Sequence, residues 1–135
     1  MYGVVLVDDE QIILQGLQRV FPWAEYGLTV VGAASDGREG LDVIRRAKPD
    51  ILLTDIRMPN MDGLSMLAAL GSEFPRMQIS VLTAYRDFDY AKEAIRLGVC
   101  RYLLKPSKMD ELKEAFAFMT DNLRRLPPVE KEAED

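Results

Sequence analysis

Five times along the chain, a short unbroken apolar run gives way to a stretch whose apolar residues recur three and four apart. An unbroken run of this length suits a strand covered on both faces, and the three-and-four spacing is one side of a helix. The runs Tyr2–Val7, Leu28–Ala34, Ile51–Thr54, Gln78–Leu82 and Val99–Leu104 are the predicted strands. Glu10–Phe21 carries Ile13, Leu14, Leu17, Val20 and Phe21 at helical spacing, and Pro22 stops it. Phe21-Pro22-Trp23 and Tyr26-Gly27 then form a connection expected to be packed. Asp36 caps a second helix, with Glu39 reaching back as in a capping box. That helix buries Leu41, Val43 or Ile44, and Ala47, and ends before Pro49. A short helix from Gly63 to Leu70 closes at Gly71. Asp87 caps a fourth helix running to Leu97, with Gly98 just beyond its end. Met109, Leu112, Phe116, Met119 and Leu123 mark the last helix, which Pro127-Pro128 ends.

Strand–helix alternation implies a parallel sheet with right-handed crossovers and helices on both faces. At 135 residues the expected fold is α/β and flavodoxin-like: a (βα)5 three-layer sandwich with a five-stranded sheet in the order 2-1-3-4-5. One domain is expected over 1–126, and 127–135, mostly charged, is expected to be a solvated tail or linker.

Composition narrows the chemistry. With 48% hydrophobic and 29% charged residues the chain has the make-up of a soluble globular domain, and its net charge of −5 argues against a nucleic-acid surface on this segment. A single cysteine, Cys100, allows no internal disulfide and suits a reducing cytoplasm. There is no histidine, which excludes a histidine base, a histidine-ligated zinc or a phosphohistidine relay within the chain. No run approaches the ~20 apolar residues of a membrane span, so no membrane partner is expected. Met1-Tyr2-Gly3 lacks a basic n-region, so no signal peptide is expected.

The candidate chemistry lies at the strand ends. The first strand ends in Asp8-Asp9, the third in Asp55, the fourth in Thr83 and the fifth in Lys105. In the 2-1-3-4-5 order these ends converge on one rim, where open α/β sheets bind ligands. Three close carboxylates repel one another, and a hard cation such as magnesium is their natural partner. A carboxylate beside a metal, a lysine and a hydroxyl is suited to accept a phosphoryl group as the nucleophile. Each piece has a plainer reading as a loop start, a strand residue or a surface lysine; their joint appearance at separate strand ends favours chemistry.

With these residues in view, the sequence resembles the receiver domain of bacterial two-component response regulators over residues 2–123. The resemblance rests on Val-Asp-Asp-Glu at 7–10, Pro-Asp-Ile-Leu-Leu-Thr-Asp-Ile-Arg-Met-Pro-Asn-Met-Asp-Gly at 49–63, Leu-Thr-Ala-Tyr at 82–85 and Tyr-Leu-Leu-Lys-Pro at 102–106. It implies that Asp55 is the phosphoacceptor and that Asp8, Asp9, Asp55 and the backbone carbonyl of Arg57 hold Mg2+, with Mn2+ as a substitute. It implies that Thr83 and Lys105 bind the phosphoryl group, that the small Ala84 leaves room for Thr83 to shift, and that Tyr102 is the switch aromatic. The Lys105–Pro106 peptide is expected to be cis. Arg57 and Tyr85 would flank the path of the hydrolytic water and set the dephosphorylation rate.

The implied partner is a sensor histidine kinase, in the cytoplasm, and the implied role is signalling rather than enzymatic turnover. The expected signalling surface is the face of the fourth helix, fifth strand and last helix, with a homodimer through that face in the activated form. Its sequence support is loose: Phe88, Tyr90, Ala91, Ala94, Ile95 and Leu97 make an apolar face wider than one core stripe, and Phe118 lies off the stripe of the last helix. Phe21-Pro22-Trp23 with Tyr26-Gly27-Leu28, and Tyr85-Arg86-Asp87-Phe88-Asp89-Tyr90-Ala91, resemble receivers placed ahead of AraC-type helix-turn-helix domains. DNA would then be bound only through such an output domain, absent from this chain. Three rivals compete. A haloacid-dehalogenase-type phosphatase needs an acid two positions past the nucleophile, where Arg57 stands, and a dinucleotide-binding module needs a Gly-x-Gly-x-x-Gly after the first strand, where Asp8-Asp9-Glu10 stands. A degenerate receiver would lack part of the acid–threonine–lysine set, which here is intact.

Overall fold

The computed structural model describes residues 1–127. Five strands, β1 (Tyr2–Val7), β2 (Leu28–Ala34), β3 (Ile51–Thr54), β4 (Gln78–Thr83) and β5 (Arg101–Leu104), form one sheet in the order β2-β1-β3-β4-β5. Every neighbouring pair is parallel. The helices are α1 (Gln11–Val20), α2 (Gly37–Ala47), α3 (Gly63–Leu70), α4 (Phe88–Arg96) and α5 (Met109–Arg125). The expected flavodoxin-like sandwich is therefore the fold. Among the described residues no helix is long and apolar enough to cross a membrane. The expected tail over 127–135 lies, beyond Pro127, outside the described residues.

Alternation along the buried strands divides the core in two. Val4, Leu6, Ile51, Leu53 and Leu82 face α1 and α5, meeting Leu14, Leu112, Phe116 and Met119. Val5, Val7 and Leu52 face the other way, meeting Ile44 of α2 and Met66, Leu67 and Leu70 of α3. The unbroken apolar strands follow from this arrangement, because both faces of each central strand are covered. The Phe21–Tyr26 connection contains a 3-10 turn over Trp23–Tyr26 and is packed, as expected. Trp23 lies 4.5 Å from Phe21 and 5.0 Å from Phe116 between ring centroids, and its indole N–H donates to the Leu17 carbonyl at 3.1 Å.

Several helix ends follow the sequence signals. Asp36, Asp62 and Asp87 accept backbone N–H bonds in the first turns of α2, α3 and α4. Element bounds differ from expectation by a residue at the ends of α1, β4 and α4, and two further details differ. Glu39 reaches past the cap and accepts the Ser35 N–H at 2.6 Å, not that of Asp36. β5 begins at Arg101 rather than Val99, because the Val99 N–H returns to the Ala94 carbonyl and still closes the end of α4.

The wide apolar face of the fourth helix is only partly core. Ala94 is buried, whereas Phe88 is 79% and Ile95 71% exposed. Phe118 is half-buried under the Arg101 guanidinium, 3.8 Å from its ring centroid, and Arg101 is in turn bonded to Glu114.

Candidate functional site

Parallel strands bring their carboxyl ends to one rim, and the ladder continues just past them. The Asp8 N–H donates to the Ala34 carbonyl, Asp55 N–H to Val7, and Lys105 N–H to Thr83, at 3.0, 2.8 and 2.8 Å. These bonds set the first residue beyond each strand as firmly as the strand itself. Asp8 and Asp55 are buried although they are acids. Asp9 is exposed. One carboxylate oxygen from each of Asp8, Asp9 and Asp55 lies within 4.8 Å of the others, a donor set that fits a hard divalent cation.

Asp55 is held from several sides. Its Oδ1 accepts the Ile56 N–H at 2.7 Å, and its carbonyl accepts the Thr54 hydroxyl at 2.8 Å. The Gly63 N–H donates to the Ile56 carbonyl at 2.7 Å, which draws the start of α3 against Asp55. A Cβ on Gly63 would stand 2.0 Å from the Asp55 carbonyl oxygen, so only glycine permits this approach.

Lys105 reaches into the acids. Its ammonium pairs with Asp8 Oδ2 at 2.8 Å, Asp55 Oδ2 at 3.0 Å and Glu10 Oε2 at 2.5 Å. Burial acts to lower its pKa, but the hydrogen bonds to Asp8, Glu10 and Asp55 outweigh it and hold the lysine above its usual range. Burial pushes the Asp8 carboxyl up; the Lys105 bond and the Glu10 N–H oppose this, and the charge of Asp55 adds to it. Both partners of one ion pair thus shift upward. Lys105 collects three anions, while Asp8 has one cation to set against its own desolvation. The Lys105–Pro106 peptide bond is cis.

Thr83 is fully buried at the end of β4, where its Oγ1 accepts the Tyr85 N–H at 3.4 Å. Ala84 beside it is exposed. The Tyr102 hydroxyl donates to the Tyr85 carbonyl at 2.9 Å, and burial raises its pKa. The Arg57 guanidinium stacks 4.3 Å from the centroid of the Tyr85 ring. The sequence-predicted residues therefore form two groups: the acids with Lys105, and Thr83, Tyr102 and Arg57 gathered on Tyr85.

Sequence reasoning passed over Glu10. It stands where α1 starts and looks like a helix-start acid, yet it takes part in the Lys105 cluster. The only signal available was its place directly after Asp8-Asp9.

A parallel sheet in this order, with an acidic cluster and one lysine at the carboxyl rim, defines the CheY-like class of flavodoxin-like domains. The chain belongs to the response regulator receiver domain family, whose model matches residues 4–117. It is 37% identical over 125 residues to the transcriptional regulatory protein YesN of Bacillus subtilis, covering 93% of this chain and 34% of YesN. It is 39% identical over 106 residues to the transcriptional regulatory protein HptR of Staphylococcus aureus, covering 78% of this chain and 41% of HptR. The chain thus spans less than half the length of these curated relatives. Among solved structures, the REC domain of AraT, a response regulator from Geobacillus stearothermophilus, superposes with a TM-score of 0.86 at 39% identity, covering 92% of this chain and 96% of that one.

Proposed function

We propose that Asp55 is the phosphoacceptor of a two-component receiver and that a sensor histidine kinase is the donor. The observation that carries this reading is the setting of Asp55: buried, pinned through Oδ1 by the Ile56 N–H, with Oδ2 on Lys105 and two further acids beside it. In the transfer, an Asp55 carboxylate oxygen forms a bond to phosphorus as the phosphorus–nitrogen bond to the donor imidazole breaks. The electron pair leaves on that nitrogen, and Asp55 becomes an acyl phosphate.

Asp8, Asp9, Asp55 and the Arg57 backbone carbonyl would hold Mg2+, with Mn2+ as a substitute. When bound, the cation offsets charge on the transferring oxygens. Lys105 supplies the second positive charge and orients the group, and its position between Asp8 and Asp55 preorganises it for that task. The chemistry is one acceptance and one slow hydrolysis, so the domain is a signalling element rather than a turnover enzyme.

Thr83 is the sensor. A phosphoryl group on Asp55 adds about −1.5 to −2 charges and new acceptor oxygens, which draw the Thr83 hydroxyl. Because Thr83 bonds the Tyr85 N–H and Tyr102 bonds the Tyr85 carbonyl, movement at Thr83 is transmitted to β5. The α4–β5–α5 face then changes shape and supports a homodimer. The family's transcriptional relatives favour a DNA-binding output domain beyond 127–135, reached through that stretch as a linker, and a cytoplasmic location.

Incubation with Mg2+ and acetyl phosphate tests the reading by intact mass. One added phosphoryl group is expected in the wild type and none in Asp55→Ala; no adduct in the wild type would leave a degenerate, interaction-only receiver as the better account.

A further inference from the structure

Lys105 has three N–H bonds to give, and three carboxylates crowd its ammonium: Asp8 as an ion pair, Asp55 and Glu10 as hydrogen-bond acceptors. Two of these, Asp8 and Asp55, are buried and carry the proposed chemistry. The third is Glu10, whose side chain is 58% exposed although its partner, the Lys105 side chain, is only 10% exposed. An ammonium with three carboxylate oxygens within 3.0 Å has no room for an arriving phosphoryl oxygen until one partner leaves. Glu10 is the one that can leave at least cost. Its carboxylate returns to water almost without penalty, whereas in the metal-free protein releasing Asp8 or Asp55 would leave a buried anion unpaired.

The local backbone supports this role. Asp8 Oδ1 accepts the Glu10 N–H at 2.9 Å, which fixes the Glu10 backbone beside the acids and leaves only its side chain free to swing. Glu10 also stands apart from the cation-competent set, which among the described residues is Asp8, Asp9 and Asp55.

We infer that Glu10 is a positioning residue that occupies the phosphoryl-binding N–H of Lys105 in the resting protein and is displaced by the incoming phosphoryl oxygen. This rests on the phosphoacceptor reading above. Through this bond Glu10 competes with phosphodonors for Lys105, which Asp8 and Asp55 keep aimed.

Two variants of the full chain separate this role from plain charge repulsion. Glu10→Gln removes the charge. Glu10→Asp keeps it but is one methylene too short to reach Lys105. Initial rates of Asp55 phosphorylation by acetyl phosphate in Mg2+ should show KM lowered about fivefold in both variants, the weight of one half-exposed ion pair, with the saturating rate unchanged. In metal-free protein, acylation of the Lys105 amine by an acetylating reagent, read by peptide mass, should quicken about threefold in both. Mg2+ affinity measured by calorimetry without phosphodonor should stay within about twofold of wild type.

If Glu10→Asp behaves as wild type while Glu10→Gln does not, charge alone acts and the inference is overturned. Unchanged KM in both variants overturns it as well, and so does a large loss of Mg2+ affinity in Glu10→Gln, which would make Glu10 a cation ligand. In each of these cases a phosphorylated wild type leaves the Asp55 reading standing. A wild type that takes no phosphoryl group defeats the Asp55 reading itself, and the inference with it.

Discussion

The Arg57 guanidinium lies over the ring of Tyr85, 4.3 Å from its centroid, and so joins the loop after β3 to the loop after β4. Each residue stands two positions past a site residue, Asp55 and Thr83. On the proposed reading of Asp55, a stacked pair bridging these loops would narrow the approach of water to its acyl phosphate. Such contacts between exposed groups are worth about 0.5–1 kcal/mol. Arg57→Ala and Tyr85→Ala should each shorten the lifetime of the acyl phosphate by about two- to fivefold, and the double variant by little more than either single one. The decay of the phosphorylated mass after removal of the donor measures this, and unchanged decay in both would refute it.

Asp8 carries a cost in the metal-free protein, because burial raises its pKa above the ordinary carboxylate value of 3.8. A group whose pKa is raised on folding contributes stability below its unfolded pKa and loses it as pH rises through the folded one. Asp8→Asn should therefore stabilise the metal-free domain at neutral pH, by ~1 kcal/mol or about 4 °C in the melting midpoint. The gain should shrink as pH falls toward 3.8, where Asp8 takes up its proton in both states. The same variant should lose Mg2+ affinity. Melting curves across pH, with and without Mg2+, test both halves.

At Gly63 the clash of any Cβ with the Asp55 carbonyl falls on backbone, which cannot move aside as a side chain could. Gly63→Ala should destabilise the domain by about 3 kcal/mol, seen as a lower urea midpoint. The residual folded protein should phosphorylate slowly, since the shift displaces Asp55. A wild-type midpoint would show that α3 moves aside freely.

Phe88 and Ile95 are both exposed and stand seven residues apart in α4, on one side of the helix. They are the apolar part of the proposed activated dimer. With beryllofluoride and Mg2+ the wild type should sediment at twice the monomer mass, and Ile95→Glu should remain monomeric under the same conditions. A wild type that stays monomeric would sink the homodimer and leave the face to another partner.

Much of the fold was legible because burial on both faces leaves a plain mark. Ile51–Thr54 is fully buried, and its unbroken run placed β3 at its actual bounds. The strand-end residues were legible for the same reason, since a strand whose bounds are known locates its last residue. What escaped depends on tertiary partners. Val99 and Cys100 are as apolar as a strand, but the hydrogen bond of Val99 closes α4. Phe118 lies off the stripe of the last helix because its cover is Arg101 of β5, a partner no local spacing marks. Glu10 meets a lysine 95 residues away, and no local pattern announces such a pair.

The aromatic cluster around Trp23 has a practical consequence. Loops that enter strands lie at the sheet edge opposite the carboxyl rim, so the only tryptophan of the chain sits at the far end from Asp55. It is locked between Phe21 and Phe116 and bonded to Leu17. Its emission is thus a clean optical gauge of whether α1 and α5 are seated on the sheet. For events at Asp55 the useful chromophores are Tyr85 and Tyr102.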